Sequence, residues 1–496
     1  MEKRFLRQGL LLIMFVLVLP DSHSQYNISF NIPDFKNDSL LFGHYFSETL
    51  ILKDTFFLDN EGKGVIRGEK SLPAGMYTVY FPNRSRFDLI VDADQDFSVS
   101  TDTTDLLKHT VIKGSRDNEL FYEYLGYLDE KRKASQGVQS RIQVPVSTGD
   151  SIEARKEMDA INKEVKSYVE GIIEKAGNSF LSVFLLSMKE IEVPDPPKNE
   201  NGEVIDKNFQ ANYYKQHYFD YFDLSDARLL RTPVYERKIM DYLDRWIYPI
   251  PDSIYTEVDF LIEESRSDSL LFKYMLTTLF NYYAKSKYVG MDAVYAYIGE
   301  KYYIPEAYWS SPDFIEKLKE RVAKINPLII GKKGPDIRLV KLTDDQFQMA
   351  EGDTAMKRNP YIGDFFNLYQ INSKYLVLYF WEADCGHCKK TIPELHEMYE
   401  KMKDKGLEVI AVSMLGGVEG KEKWTDFVNE HGLYGWINAW NPYDFSYKEA
   451  YDVSSSNILY LLDENKEILA KKISPEQVEE IINRETERES ELSGQL

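Results

Sequence analysis

The two cysteines of this 496-residue chain stand three residues apart, as Cys385-Gly386-His387-Cys388. A disulfide that closes so small a loop adds little stability through chain entropy, which favours a chemical role for the pair. A thiolate at Cys385 could attack a disulfide in a partner protein and form a mixed disulfide. Cys388 could then attack Cys385 and release the partner in reduced form. The spacing therefore predicts thiol-disulfide exchange.

A zinc site and a thiol peroxidase site are the alternatives to thiol-disulfide exchange at the same residues. Zinc takes four ligands and is usually held by two such pairs, whereas this chain has no second cysteine pair and only His387 and His396 lie nearby in sequence. We therefore expect no metal and no other cofactor. A thiol peroxidase would need a lone peroxidatic cysteine, and a pair at the start of a helix argues against it.

The pair must be positioned by a buried strand and by the helix that follows. Residues 375–381 (YLVLYFW) are a continuous apolar run, typical of a strand in the centre of an open sheet. The next helix has an apolar stripe at three- and four-residue steps, made of Ile392, Leu395, Met398 and Met402. Unpaired N–H groups at a helix start favour an anion, so they would stabilise the Cys385 thiolate, and a charged His387 would add to this.

The regions around this unit predict a multidomain chain. Strands and helices alternate over 327–488, as in an α/β domain, and a capping box at 474–477 opens the final helix. Residues 25–112 contain short alternating segments and turn signals that predict an all-β sandwich. Residues 113–326 predict a helical middle region, and the tail 489–496 is expected to fray.

Residues 1–24 have the pattern of a cleavable signal peptide. Lys3, Arg4 and Arg7 precede the apolar run 9–19, and small residues follow at 22–24. An uncleaved anchor is the alternative. No cysteine lies near the cleavage site, so we expect no lipoprotein, and export predicts the periplasm or cell envelope. The net charge of −21 argues against a nucleic-acid partner.

Residues 380–393 (FWEADCGHCKKTIP) resemble the thioredoxin active-site signature. The matching features are the aromatic strand end at Trp381, the cysteine pair, and Pro393 five residues after the second cysteine. Within that superfamily the segment is most similar to bacterial envelope thiol-disulfide oxidoreductases of the TlpA/ResA type. Residues 114–118 (GSRDN) and 226–233 (DARLLRTP) resemble the β-domain and helical region that accompany such domains.

The resemblance implies a C-terminal thioredoxin fold with Cys385 as nucleophile and Cys388 as resolving thiol. It implies client proteins with thiols or disulfides, and a separate membrane thiol reductase as electron donor. The Gly386-His387 dipeptide resembles that of protein disulfide isomerase, which implies a potential between about −180 mV and about −270 mV.

Three residues depart from the family pattern. Asn457, after Ser456, stands where thioredoxins place a cis-proline, Tyr379 stands at the buried acid, and Thr391 stands at the acid of ResA-type proteins. A cis bond before a non-proline residue costs about 2.5–4 kcal/mol, so we expect a trans, reshaped loop. Glu382 is the nearest acid that could substitute, although a solvated loop carboxylate is the simpler interpretation.

These departures leave two functions open. One is an exported reductase or isomerase, and the other is a binding or assembly module on a thioredoxin scaffold with an impaired redox site. Asn457→Pro would raise activity if the site were only weakened. The predicted supporting residues around the cysteines are Trp381, Glu382, Pro393, Ser456 and Asn457.

Overall fold

The computed structural model describes residues 25–144 and 148–493. The predicted signal peptide lies outside these residues, as does the end of the tail. Within the described ranges, no helix combines the length and apolar character that a bilayer span requires. The chain divides into two compact units between Tyr242 and Leu243. The domain boundaries inferred from the sequence stay predictions.

The first unit begins with two four-stranded sheets that share one core. In chain order the strands are β1 (Tyr26–Asn31), β2 (Ser39–Phe46), β3 (Thr49–Phe57), β4 (Lys63–Gly68), β5 (Gly75–Tyr80), β6 (Arg86–Val91), β7 (Asp96–Ser100) and β8 (Val111–Lys113). The sheet orders are β4-β1-β7-β8 and β3-β2-β5-β6. Alternate side chains of β1 and β2, such as Ile28, Phe30 and Phe42, enter the shared core. This confirms the predicted all-β sandwich.

A helical region follows, as predicted. Its helices are α1 (Arg116–Gln143), α2 (Thr148–Ala176), α3 (Phe180–Ser187), α4 (Phe209–Gln216), α5 (Tyr235–Trp246), α6 (Pro251–Glu264), α7 (Ser269–Ala284), α8 (Met291–Ile298), α9 (Ile304–Glu306) and α10 (Pro312–Ile325). Helix α10 starts as its sequence indicates, because the Ser311 hydroxyl accepts a hydrogen bond from the Phe314 N–H and Pro312 occupies the first position.

The C-terminal region is an α/β fold around a seven-stranded sheet. Its elements are β9 (Arg338–Leu342), α11 (Asp344–Glu351), α12 (Thr354–Arg358), β10 (Asp364–Asn367), β11 (Tyr375–Trp381), α13 (Cys388–Met402), β12 (Leu407–Ser413), α14 (Gly417–His431), β13 (Ile437–Trp440), α15 (Ser446–Ala450), β14 (Ile458–Asp463), β15 (Ile468–Lys471) and α16 (Pro475–Ser493). The sheet order is β10-β9-β13-β12-β11-β14-β15. The central strand β11 runs parallel to β12 and antiparallel to β14.

Strand β11 is buried along its whole length because the sheet is covered on both faces. Tyr379 and Trp381 belong to the core on one face, together with Cys388, whereas Phe380 belongs to the core on the other face. Side chains alternate along a strand, so this parity places the Tyr379 side chain on the same face of the sheet as the resolving thiol.

Candidate active site

The cysteine pair lies where β11 leads into α13. Helix α13 begins at Cys388, so Cys385 to His387 form the turn immediately before the helix. The backbone N–H of Cys388 points at the Cys385 Sγ, at a distance of 3.4 Å. Both cysteines are free thiols. The helix start thus supplies the hydrogen-bond donor that a thiolate needs.

The two thiols have opposite environments. Burial raises the pKa of the half-buried Cys385, but hydrogen bonds from the side chains of Cys388 and Ser456 and from two backbone N–H groups outweigh it and lower the pKa overall. Burial raises the pKa of the fully buried Cys388 to about 11, and its contact with Cys385 adds to this. Cys385 is therefore the more readily ionised thiol and Cys388 the more protected one.

The predicted supporting residues have distinct surroundings. The Trp381 carbonyl accepts a hydrogen bond from the Met414 N–H at 2.8 Å, which fixes the end of β11. The Glu382 carbonyl accepts from the Cys385 N–H at 3.2 Å. Burial, and then the charge of Glu382, raises the pKa of Tyr447, which lies in the core opposite Cys388. The Glu382 carboxylate thus affects the pKa of Tyr447, which lies on the face of the sheet opposite Cys388.

The remaining predicted residues lie near the cysteines in the chain. Gly386 and His387 are exposed at the turn. Pro393 lies inside α13 on its exposed side, where proline removes one backbone donor and bends a helix.

The loop before β14 has the reshaped form that the missing proline predicts. The described residues contain no cis peptide bond, and Asn457 has a φ of 70°. The Asn457 N–H donates to the Phe380 carbonyl at 2.8 Å. Proline has a φ near −65° and no N–H. The loop therefore does not accommodate Asn457→Pro, which corrects the expectation that this change would improve the site.

Two of the departures from the family pattern are in direct contact, and the third lies beside them. The Tyr379 hydroxyl donates to the Asn457 Oδ1 at 2.7 Å. Burial raises the pKa of Tyr379 well above its usual value, as does contact with Cys388 and Cys385, while a hydrogen bond with Thr391 opposes the rise. A neutral phenol thus lies beside both thiols. The sequence marked Tyr379 as a departure from the family pattern, but nothing in it indicated the contact with Asn457.

A groove of about 960 Å³ opens beside Cys385. Its lining includes Tyr379, His387, Thr391, the serines 454–456, Asn457, Asp452, Lys472 and Arg321. Arg321 comes from α10 and bonds to the Asp452 carboxylate at 2.7 Å. No sequence pattern indicated Arg321 or Asp452, because they lie far from the cysteines in the chain. The helical region therefore forms part of the groove wall.

Metal-ligating side chains do not gather at this groove. In the ranges 25–144 and 148–493, no cluster of three or more His, Cys, Asp or Glu side chains has the arrangement to hold a metal ion.

Comparison with known families assigns two segments of the chain. The thioredoxin-like family model matches residues 372–468, which include the cysteine pair, β11 and β14. A model of a domain of unknown function, DUF5106, matches residues 156–326, which cover much of the helical region.

Curated relatives match over part of the chain. The thiol-disulfide oxidoreductase ResA of Oceanobacillus iheyensis is 25% identical over 142 residues, which cover 28% of this chain and 62% of that protein. ResA of Bacillus thuringiensis is 37% identical over 71 residues, 14% of this chain and 39% of that protein. The chain therefore spans less than two thirds of the length of either relative.

Among solved structures, a thioredoxin-like protein from Bacteroides caccae is 20% identical and aligns with a TM-score of 0.41 over 60% of this chain and 98% of its own. The family match and the ResA relatives agree with the seven-stranded sheet and the position of the cysteine pair. Residues 372–468 of this chain are a thioredoxin-like domain, and the chain is similar to the ResA thiol-disulfide oxidoreductases.

Proposed function

We propose that this chain is an exported thiol-disulfide oxidoreductase, a reductase or isomerase that exchanges disulfides with envelope proteins through Cys385 and Cys388. The unequal environments of the two thiols carry the proposal. Cys385 is half-buried at the edge of the groove with a lowered pKa, whereas Cys388 is buried with a pKa raised to about 11. An exchange reaction needs one accessible attacking thiolate and one protected thiol that acts later.

The reaction follows from this arrangement. The Cys385 thiolate attacks one sulfur of a client disulfide, the client S–S bond breaks, and the other client sulfur leaves as a thiolate. Cys388 then attacks the Cys385 sulfur of the mixed disulfide, forms the Cys385–Cys388 bond and releases the second client sulfur. The client gains two electrons and the pair loses two.

The proposed clients are envelope proteins with thiols or disulfides, and a membrane thiol reductase is the proposed donor that returns the pair to the dithiol. The sequence pattern of residues 1–24 supports export to the periplasm or cell envelope. Two relatives that match part of the chain are thiol-disulfide oxidoreductases by name. The proposed supporting residues for the exchange are Trp381, Glu382, Gly386, His387, Pro393, Ser456 and Asn457.

The first test is an equilibrium redox titration of the purified chain against glutathione, with Cys385→Ser as the matched control. We expect a reversible two-electron transition between about −120 and −270 mV, the range of catalytic dithiols, and none in the control. A pair that stays oxidised below about −300 mV, or that never forms a disulfide, would overturn the proposal. That result would favour a binding or assembly module, for which the loop at Asn457 is the motivating feature.

A further inference from the structure

Three residues that depart from the family pattern gather beside the resolving thiol. Tyr379 comes from the central strand β11, Thr391 lies one turn after Cys388 on α13, and Asn457 precedes β14. Strands β11 and β14 are antiparallel neighbours with Tyr379 opposite Leu459, so Asn457 lies diagonally across from Tyr379, within reach of its hydroxyl. Two elements therefore hold this small polar cluster against α13.

The Tyr379 hydroxyl has one hydrogen to donate and lone pairs that accept. It donates to the Asn457 Oδ1 at 2.7 Å, and its other neighbours are the thiol of Cys388 and the side chain of Thr391. The ring is fully buried in the sheet, so the hydroxyl can only rotate in place. Asn457 is exposed on the groove side of this contact.

The resolving step has a requirement that this cluster can meet. Cys388 is fully buried and must lose its proton before it attacks Cys385, but burial penalises the thiolate. A hydrogen bond to the charged form favours it, and the Glu382 backbone and the Ser456 side chain already act in this direction on Cys388. The phenol stays protonated, so it cannot take the proton, but it can turn its O–H from Asn457 to the Cys388 sulfur.

We propose that the Tyr379 hydroxyl, which Asn457 holds in the resting state, takes the place of a buried acid and stabilises the Cys388 thiolate during the resolving step. This inference rests on the proposed function. The Cys388–Cys385 bond forms as the Cys385–client bond breaks, and the Cys388 proton ends on the departing client thiol. The client disulfide is the oxidant, so no further reactant is required.

The test separates the two steps in time. A symmetrical nitrothiobenzoate disulfide, supplied below the protein concentration, releases one coloured thiolate when Cys385 attacks and a second when Cys388 resolves the mixed disulfide. Tyr379→Phe is expected to slow the second release about tenfold at neutral pH, since it removes one hydrogen bond to a charged atom. The rate of the first release should stay within about twofold of wild type. The second release should reach its full rate only at a higher pH than in wild type.

Two other variants keep the test decisive. Tyr460→Phe is the matched control, because this buried hydroxyl also donates at 2.7 Å, to the Tyr451 carbonyl, on the opposite face of the sheet. If Tyr379→Phe does not fold, Asn457→Gly removes the competing acceptor and keeps the positive φ accessible, and it should speed only the second release.

The outcomes are distinct. The same charged groups line the groove in every variant, namely Arg321, His387, Glu394, Asp452 and Lys472, so a shift in pH profile confined to the Tyr379 and Asn457 variants supports the inference. An unchanged second release in folded Tyr379→Phe would overturn it. A wild-type protein without a second release would instead refute the proposed function.

Discussion

The junction between the β-sandwich and α1 and the groove beside the cysteines are each built around a fully buried polar side chain. In the first region this is Asn118, the last residue of the segment 114–118 that resembles the accompanying domains of the family. Its Oδ1 accepts from the Ile90 N–H at 2.7 Å, and its Nδ2 donates to the Ile90 carbonyl at 2.6 Å and to the Ser115 Oγ at 2.9 Å. Asn118 thus pairs with the edge strand β6 as another strand would.

Tyr379 is the counterpart in the second region, and its partners are of another kind. Its hydroxyl donates to a side chain in a loop and lies beside a thiol that changes charge during the proposed reaction. Both donor hydrogens and the acceptor oxygen of the Asn118 side chain are hydrogen-bonded, mostly to backbone groups with fixed positions. A buried polar group that is bound to fixed backbone atoms therefore stabilises the fold, whereas one that is bound to side chains at a groove can exchange hydrogen-bond partners.

The largest expected effect concerns the two thiols at the groove. Iodoacetamide reacts with thiolates, so Cys385, with its lowered pKa, should react at a lower pH than an ordinary thiol. Burial raises the pKa of Cys388 to about 11, so only about one Cys388 in ten thousand should be ionised at pH 7. We expect initial alkylation rates at pH 7 to differ by about a hundredfold or more, and the ratio to fall as the pH rises toward 11. Peptide mass spectrometry after a timed quench measures both rates.

The reduced protein alkylated in urea is the control, because there the two thiols should react at similar rates. Equal rates in the folded protein at pH 7 would remove the distinction between attacking and resolving thiols.

The next effect tests the structural side of the comparison. Asn118→Ala leaves the N–H and the carbonyl of Ile90 without their buried partner, so the free energy of unfolding should fall by about 3 kcal/mol. The release of nitrothiobenzoate per folded molecule should not change. Urea unfolding measures the first quantity. Asn60→Ala, an exposed asparagine of the sandwich, is the control and should change stability by less than about 0.5 kcal/mol.

The converse result would also be informative. If Asn118→Ala slowed thiol exchange while stability stayed unchanged, the assignment of Asn118 to a purely structural role would be wrong.

The sequence predicted those parts of the fold that depend on local signals. The apolar run of β11 and the capping residues Ser311 and Ser474 each specify an element from neighbouring residues alone, and the structure contains all three. Strands β9, β10 and β13 were not predicted. Strand β9 pairs with β13, with Val340 opposite Trp440. Such short segments carry no hydrophobic pattern that identifies them as strands, because their pairing depends on residues distant in the chain.

The same limit applies to the site. Cys385 and Cys388 are close in the chain, so their spacing revealed the chemistry. Tyr379 and Asn457 are 78 residues apart, and only the pairing of β11 with β14 brings them together. Their types marked departures from a family pattern, but one hydrogen bond between them could not be inferred from spacing.

The smallest expected effect concerns the wall of the groove that the helical region supplies. The Arg321 guanidinium lies 2.7 Å from the Asp452 carboxylate, with 41% of its side chain exposed, so the pair has the modest strength of a partly solvated ion pair. Asp452 has a φ of 47° and precedes the serines 454–456 beside Cys385. Without Arg321, the loop that contains Asp452 should be less rigid and should bind an incoming client less tightly.

Arg321→Ala should therefore raise the KM for a disulfide-containing peptide by about two- to threefold and leave kcat unchanged, as expected for a pair of this strength. The small nitrothiobenzoate disulfide, which needs little of the groove, should react as with wild type. Lys317→Ala on the same helix is the control, because Lys317 forms an exposed ion pair with its helical neighbour Asp313. If Arg321→Ala changed the kinetics of the peptide and of the small disulfide equally, Arg321 would act on the thiols themselves. Arg321 would then not be a residue that only helps to bind the client.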